Sequence, residues 1–292
     1  MKVSLIICSY GRPPSLAACL KSVASEASLY DGSEIILVYT LDDSGTAEVM
    51  NEFAKTSRTP VKVCRADKRG LSVARNVGIA NSTGDLLFFT DDDCLMQPGH
   101  LGTLIAEMES EQDCDYGGGG VHDVVFSPPG TTHIQQKTII KPRTLFLGGI
   151  VSGCNMFFRR KVFEKLGGFR EDMGAASGTS FIGPEDLEMA ARASFSGMTG
   201  VLLPGAVIVH DHKRLPNSNA MKELAYAYNV SRGSFFAYMM MHGVYEVWNL
   251  WAESSPQDKG CKMDRQMLEK LQQEFYGAAE YIAYCLKNNI DL

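Results

Sequence analysis

Leu86-Leu87-Phe88-Phe89-Thr90 runs directly into Asp91-Asp92-Asp93. The five uncharged residues read as a buried strand. Three adjacent carboxylates at its mouth repel one another and resist leaving water. A cation relieves both costs. Oxygen ligands favour a hard divalent ion, Mn²⁺ or Mg²⁺, over zinc, and such an ion can bridge to a diphosphate. The plainer alternative is a polar loop after a strand, since acidic pairs are common in turns. Three acids directly behind so apolar a run favour the cation.

The pattern repeats on the N-terminal side. Val3 to Cys8 and Glu34 to Thr40 are apolar, β-branched runs of the buried, parallel kind. A shorter strand is predicted at Val61 to Cys64. Helical periodicity fills the intervals: Ser15 to Ala27 with Ser15 as cap, Thr46 to Lys55, and Ser72 to Asn81. Alternating strands and helices predict an α/β doubly wound sheet with right-handed crossovers. Ligands of such sheets bind beyond the carboxyl ends of the strands. Tyr10 to Arg12, Asp42-Asp43 and Asp91 to Asp93 all fall there. Three polar clusters on one rim describe a binding site better than any one alone.

The 292 residues suit one large α/β domain, or one domain with an appendage. Net charge is −6, which gives no reason to expect nucleic-acid binding. Eight cysteines are scattered without a CxxC pair, so reduced, mostly buried thiols are expected rather than a zinc ribbon or disulfide framework. Met1 to Ile7 is too short for a secretory signal and reads as a strand. No apolar stretch is long enough to span a bilayer, and a cytoplasmic protein is expected.

Later segments are less regular. Gly117 to Gly120 read either as a flexible turn before a strand at Val121 to Val125 or as backbone approaching a ligand. Ser127 to Lys141 reads as a mobile loop, and Phe157 to Leu166 as a strand passing into a helix. Gly174 to Gly183 reads as a lid or a loop ordered by ligand. Pro184-Glu185-Asp186-Leu187-Glu188 opens a helix, with acids opposing its positive end. Leu202 to Val209 is a strand ending in His210-Asp211-His212. Beyond Pro216 the pattern is helical, from Ala220 to Met241 and from Asp264 to Leu286. Its aromatic and methionine residues read as core packing, or as an acceptor groove or lipid-facing surface.

Taken together the pieces resemble a glycosyltransferase of the GT-A fold, and most of all the large family 2. The likeness covers roughly residues 3 to 214. It rests on Ile6-Ile7-Cys8-Ser9-Tyr10-Gly11-Arg12-Pro13, Asp42-Asp43-Ser44, Gly70-Leu71-Ser72-Val73-Ala74-Arg75-Asn76 and Asp91-Asp92-Asp93. Further on come Gly153-Cys154-Asn155-Met156, Gly167-Gly168-Phe169, Glu185-Asp186-Leu187-Glu188 and His210. Each piece is weak alone; order and spacing carry the likeness. Two departures stand out. Asp42-Asp43-Ser44-Gly45 replaces the usual Asp-Asp-Gly-Ser, so either Asp42 or Asp43 faces the nucleotide. Arg170 follows Phe169 where the family usually has Asp, and no catalytic role is expected there.

The resemblance implies a GT-A catalytic domain over 1-215 with a mostly parallel mixed sheet, and a helical extension over 216-292. It implies a metal-dependent inverting transfer of sugar from a nucleotide diphosphate, most simply a UDP-sugar, to a hydroxyl of a glycan, lipid-linked or small-molecule acceptor. Peripheral contact with the inner face of a membrane would follow from a lipid-linked acceptor. Ser9, Tyr10, Arg12, Asp42 or Asp43, Arg75, Asp91 and Asp92 would line the nucleotide pocket. Asp93 would bind Mn²⁺ or Mg²⁺ directly, helped by Asp91 and by His210, with His212 as competitor. Gly153 and Asn155 would frame the donor sugar. Asp186 would be the base and Glu185 the runner-up, although a helix N-terminus weakens a base unless burial offsets it. Without the resemblance, Arg75 reads as a surface cation and the acids at 185 and 186 as helix-end charges. The alternatives are a non-catalytic nucleotide-sugar-binding subunit and a sugar nucleotidyltransferase. The latter would want a glycine-rich loop after the first strand, which Ser9 to Pro14 lacks.

Overall fold

The computed structural model describes residues 1–41, 43–125, 127–128, 130–144, 151–211, 218–245, 247–248 and 265–290. Asp42, His212, Trp251 and the expected boundary at 215/216 lie outside them.

Among the described residues, nine strands form one sheet. They are β1 (Val3–Ser9), β2 (Glu34–Thr40), β3 (Val61–Ala66), β4 (Leu86–Asp91), β5 (Cys94–Met96), β6 (Cys114–Asp123), β7 (Thr138–Ile140), β8 (Met156–Arg159) and β9 (Thr199–His210). The order is β3-β2-β1-β4-β8-β6-β9-β5, with β7 also on β9. β3, β2, β1 and β4 are mutually parallel, as their continuous apolar runs require. Beyond β4 the sheet is mixed: β8 is antiparallel to β4 and β6, while β6 and β9 are parallel.

Helices cover both faces. Leu16, Leu20 and Val23 of α1 (Pro13–Ala27) join Leu101, Leu104 and Met108 of α4 (His100–Ser110) in one core. α2 (Ser44–Thr56) lies beside them through Met50. The opposite core joins α3 (Leu71–Asn81), α5 (Arg160–Leu166) and α6 (Glu185–Phe195) around Phe89, Phe158, Phe163 and Phe169. A third core lies between α6 and the C-terminal pair, α7 (Asn219–Met241) and α8 (Arg265–Asn288). No helix among the described residues is long and apolar enough to cross a membrane.

The early expectations hold with small shifts: Arg12, not Ser15, precedes α1, and Pro13 takes the first turn, where a missing N–H costs nothing. The larger differences lie in the middle. Gly117 to Gly120 form neither a turn nor a ligand cradle; they are buried inside β6. A Cβ at Gly117 would sit 2.0 Å from the Val201 carbonyl oxygen, and one at Gly119 2.3 Å from that of Ala206. Crowding by β8 and β9 removes side chains here, so the glycines serve sheet packing. β7 lies within the expected loop at Ser127 to Lys141, its partners coming from the distant β9. β5 and α4 follow the acid triplet without an obvious pattern of their own.

Candidate active site

Register sets the level of the strand ends. Cys8 pairs with Asp91 and Ser9 with Tyr39, so β1, β2 and β4 end level with one another. The chain after β4 then turns sharply into β5, and Cys94 of β5 pairs with His210 of β9. The acid triplet is thereby brought between the turn after β1 and the end of β9.

Arg12 spans two of the acids: Nη2 is 2.5 Å from Asp92 Oδ1 and Nη1 2.5 Å from Asp93 Oδ2. Asp92 is fully buried and also accepts from the Ser9 hydroxyl. Burial pushes its pKa up to about 6 against the pull of Arg12. Asp93 moves the other way. Burial opposes its charge, yet the His210 hydrogen bond and Arg12 together hold it at about 2. His210 Nε2 lies 3.4 Å from Asp93 Oδ1, and Nδ1 3.5 Å from Asp123 Oδ2. Burial works against the imidazolium, but the bond to Asp93 raises it to about 9. Carboxylates and one imidazole, arranged so that positive charge settles among them, fit a hard divalent ion in donor type.

A second acidic group lies beside the first. Arg75 of α3 is only 3% exposed, so the surface-cation reading fails. Nη1 donates to Glu185 Oε1 at 2.7 Å, while Nη2 donates to the Gly153 carbonyl oxygen at 3.2 Å and meets Asp91 Oδ1 at 3.4 Å. Glu185 is buried, and its Oε2 has no hydrogen-bond partner among the described residues. Asp186 is half-buried; its Oδ2 accepts from the Gly153 N–H and its Oδ1 from the Leu187 N–H, both at 2.7 Å. Those bonds pull its pKa down, as the helix end does. Burial and the charge of Glu185 win, raising Asp186 to about 7. A carboxyl titrating there can exchange a proton near neutral pH.

Arg75 therefore ties Asp91, Gly153 and Glu185 into one network, and Gly153 passes it on to Asp186. A Cβ on Gly153 would lie 2.9 Å from Arg75 Nη2 and 3.1 Å from Asp186 Oδ2, which suits glycine here. Tyr10, 47% exposed, stands at the outer edge. Asp43 braces the turn: it accepts from the Gly11 N–H at 2.5 Å and caps α2 through the Thr46 N–H at 3.1 Å.

Asn155 does not frame a donor sugar as the resemblance implies: its Nδ2 donates to the carbonyl oxygens of Gly120 and Ala206, both at 2.9 Å, and its Oδ1 faces His100 Nε2 at 2.9 Å. The amide is buried and spent on the scaffold. Burial also lowers His100 to about 4, keeping it neutral, so its Nε2 donates to Asn155. Two further neighbours escape a reading of the sequence. Asp123 pairs in register with His210, which is visible only once β6 and β9 are known to be adjacent. Arg69 donates to the Tyr10 hydroxyl at 2.6 Å and lies 5.0 Å from its ring centre.

The model of glycosyl transferase family 2 matches residues 4–167. A glucosyl-dolichyl phosphate glucuronosyltransferase of Haloferax volcanii is 27% identical over 183 residues, 60% of this chain and 58% of that protein. An uncharacterized glycosyltransferase, YwdF of Bacillus subtilis, is 32% identical over 111 residues, 38% of this chain and 39% of its own. The chain thus spans less than two thirds of either relative. Among solved structures, the mannosyltransferase PcManGT of Pyrobaculum calidifontis, in complex with GDP-Man and Mn²⁺, shares the fold with a TM-score of 0.58 at 18% identity, covering 98% of this chain and 75% of that one. S. aureus TarS 1-349 in complex with UDP-GlcNAc gives 0.59 at 13% identity, covering 99% and 92%. The fold is GT-A, and with its model matched across more than half the sequence, this chain belongs to glycosyl transferase family 2.

Proposed function

We propose that this chain transfers a sugar from a nucleotide-diphosphate donor to an acceptor hydroxyl with inversion at the anomeric carbon. The observation that carries the reading is the link from Asp91 through Arg75 to Glu185, and through Gly153 to Asp186. It joins a rim suited to a diphosphate and cation with a carboxyl suited to proton transfer.

Asp186 is the base. Ionised above about pH 7, it takes the acceptor's proton as the bond to the anomeric carbon forms. Glu185 Oε2, without a partner among the described residues, is available to accept from a substrate hydroxyl. Arg75 keeps both carboxyls in place while its charge partly offsets theirs. Tyr10 offers an aromatic face to a base, and Arg12 offers a guanidinium to phosphate oxygens. Asp93 and His210, with Asp91 nearby, would hold Mn²⁺ or Mg²⁺, which would supply charge neutralisation for the departing diphosphate. We take residues 1-215 as the catalytic unit and 216-292 as a helical extension. The Tyr238 hydroxyl donates to Glu188 at 2.7 Å, tying that extension to α6.

A thermal-shift screen of nucleotides and nucleotide sugars, with and without Mn²⁺, tests the donor side, since selective binding raises apparent stability. A UDP-sugar should stabilise the chain more strongly with Mn²⁺. Turnover with an acceptor panel then tests the chemistry. Binding with no turnover would replace the enzyme by a nucleotide-sugar-binding subunit. Pyrophosphate release from NTP and sugar phosphate would make it a nucleotidyltransferase.

A further inference from the structure

Two thiols lie directly behind the acidic rim, and the proposed reaction uses neither. Cys94 is 1% exposed and Cys154 4%, and both pack with Ile208. The Cys94 thiol packs beside Cys154 and donates to Asp93, with Sγ 3.9 Å from Oδ1. Cys154 Sγ in turn lies 3.2 Å from the Ser152 hydroxyl. Ligand atoms of Asp93, Cys94 and His210 all fall within 4.8 Å of one another.

The arrangement has a direct cause in the fold. Cys94 and His210 are cross-strand partners, and Asp93 is the residue before Cys94. One carboxylate, one imidazole and one thiol therefore converge, with a second thiol alongside. Hard ions such as Mn²⁺ and Mg²⁺ use the oxygen and tolerate the nitrogen but ignore the sulfur. Zinc takes all three donor types in a tetrahedron, with ligands about 2.0–2.3 Å from the metal. Closing the present spacing to that radius asks for side-chain shifts of about 1 Å, well within rotamer adjustment. The His210 side chain is 23% exposed, which leaves the site open to solvent on that side.

We propose that Asp93, Cys94 and His210, completed by Cys154, form a thiophilic metal site that binds Zn²⁺. Binding exchanges the Cys94 S–H bond for an S–Zn bond and a His210 ring N–H bond for an N–Zn bond, releasing both protons to solvent, and Cys154 likewise gives up its proton when it enters as thiolate. The site takes Asp93 and His210 away from the hard ion. Zn²⁺ should therefore displace Mn²⁺ and inhibit, not substitute. The site shares two residues with the proposed reaction, but zinc binding itself needs no turnover.

Co²⁺ is the probe, because cobalt bound by thiolate gives an intense near-ultraviolet charge-transfer band that oxygen and nitrogen ligands do not. The full chain, kept in a non-thiol reductant, should develop that band to saturation at one ion per chain, and Zn²⁺ should erase it. Cys94→Ser should sharply reduce the band and weaken Zn²⁺ binding by about 100-fold or more, beyond what loss of an outer-shell partner costs, and Cys94→Ser combined with Cys154→Ser should abolish the band. No band in the wild type, or an unchanged band in Cys94→Ser, overturns the proposal. If the variant fails to fold, X-ray absorption of the zinc-loaded wild type decides. A sulfur shell at about 2.3 Å supports the site, and a shell of only oxygen and nitrogen overturns it. Mn²⁺ binding read by electron paramagnetic resonance separates the two ideas. Mn²⁺ bound without any cobalt band removes this site and leaves the transferase. A cobalt band in a chain that neither holds Mn²⁺ nor turns over leaves this site and removes the transferase.

Discussion

Two acidic groups are joined through Arg75, and their electrostatics run in opposite directions. At Asp93, an arginine and an imidazolium hold the carboxyl ionised at about 2 despite its burial. At Asp186, burial and the charge of Glu185 outweigh Arg75 and two backbone N–H groups, and the pKa climbs to about 7. The difference is one of cation supply. Arg12 and His210 both reach Asp93, whereas Arg75 is shared among Glu185, Asp91 and Gly153 and touches Asp186 only through Gly153. A pair of carboxyls pushed apart in pKa is a means of assigning separate roles, one to hold positive charge and one to move a proton.

The strongest way to break the comparison is Asp186→Asn. If the proton leaves through this group, turnover should fall by about 10²–10⁴-fold, the usual worth of a positioned base. Donor affinity, measured by calorimetry, should stay within a few-fold, because the nucleotide rim is untouched. Equal losses in affinity and turnover would move Asp186 into the binding machinery and erase the contrast.

Arg75→Ala attacks the link between the groups. Glu185 is 3% exposed and would lose the cation that compensates it. Removing one member of a buried pair costs about 3–5 kcal/mol. Urea unfolding should show a loss of that order, and the double variant Arg75→Met with Glu185→Gln should recover much of it. A loss under about 1 kcal/mol would mean that water already reaches the pair.

The pH dependence sharpens the comparison by about tenfold per unit. Asp186 must be ionised to act, so kcat/KM should fall as pH drops below about 7 and level off above it. Stability moves the opposite way. A carboxyl whose pKa is raised by folding binds more protons folded than unfolded, so its contribution fades as pH rises from its unfolded value near 3.9 through about 7. The stability difference between Asp186→Asn and wild type should therefore shift toward the variant between about pH 4 and about pH 7 and level off above. A flat difference would place the Asp186 pKa in the ordinary range.

Much of this was legible from residues alone because it depends on local sequence. The parallel strands declare themselves through apolar runs, and their carboxyl ends carry Tyr10, Arg12 and Asp91 to Asp93 by default. What stayed hidden depends on sheet order. Asp123 and Cys94 become neighbours of His210 only through the pairing of β6 and β5 with β9, across separations no periodicity reveals. The glycines of β6 look like a turn because their lack of side chains answers to Phe157, Val201 and Asn155 rather than to backbone twist. The same blindness applies to α7 and α8. A Cβ on Gly233 would sit 1.8 Å from the Glu274 carbonyl oxygen, so glycines that would weaken isolated helices instead let two backbones touch.

The smallest expected effect lies at the outer edge of the cation-holding region. Arg69 covers the Tyr10 ring at 5.0 Å and donates to its hydroxyl at 2.6 Å, with the ring half-exposed to solvent. An exposed cation–aromatic contact is worth about 0.5–1 kcal/mol. If Arg69 merely orients the ring against a nucleotide base, Arg69→Ala should raise the donor KM about 2–5-fold with kcat unchanged, the signature of uniform binding. Tyr10→Phe keeps the ring and removes only the hydroxyl, so it should fall between wild type and Arg69→Ala. A drop in kcat for either variant would mean that charge at the nucleotide edge is felt at the reacting bond. The division between a rim that holds charge and a carboxyl that moves a proton would then have to be redrawn.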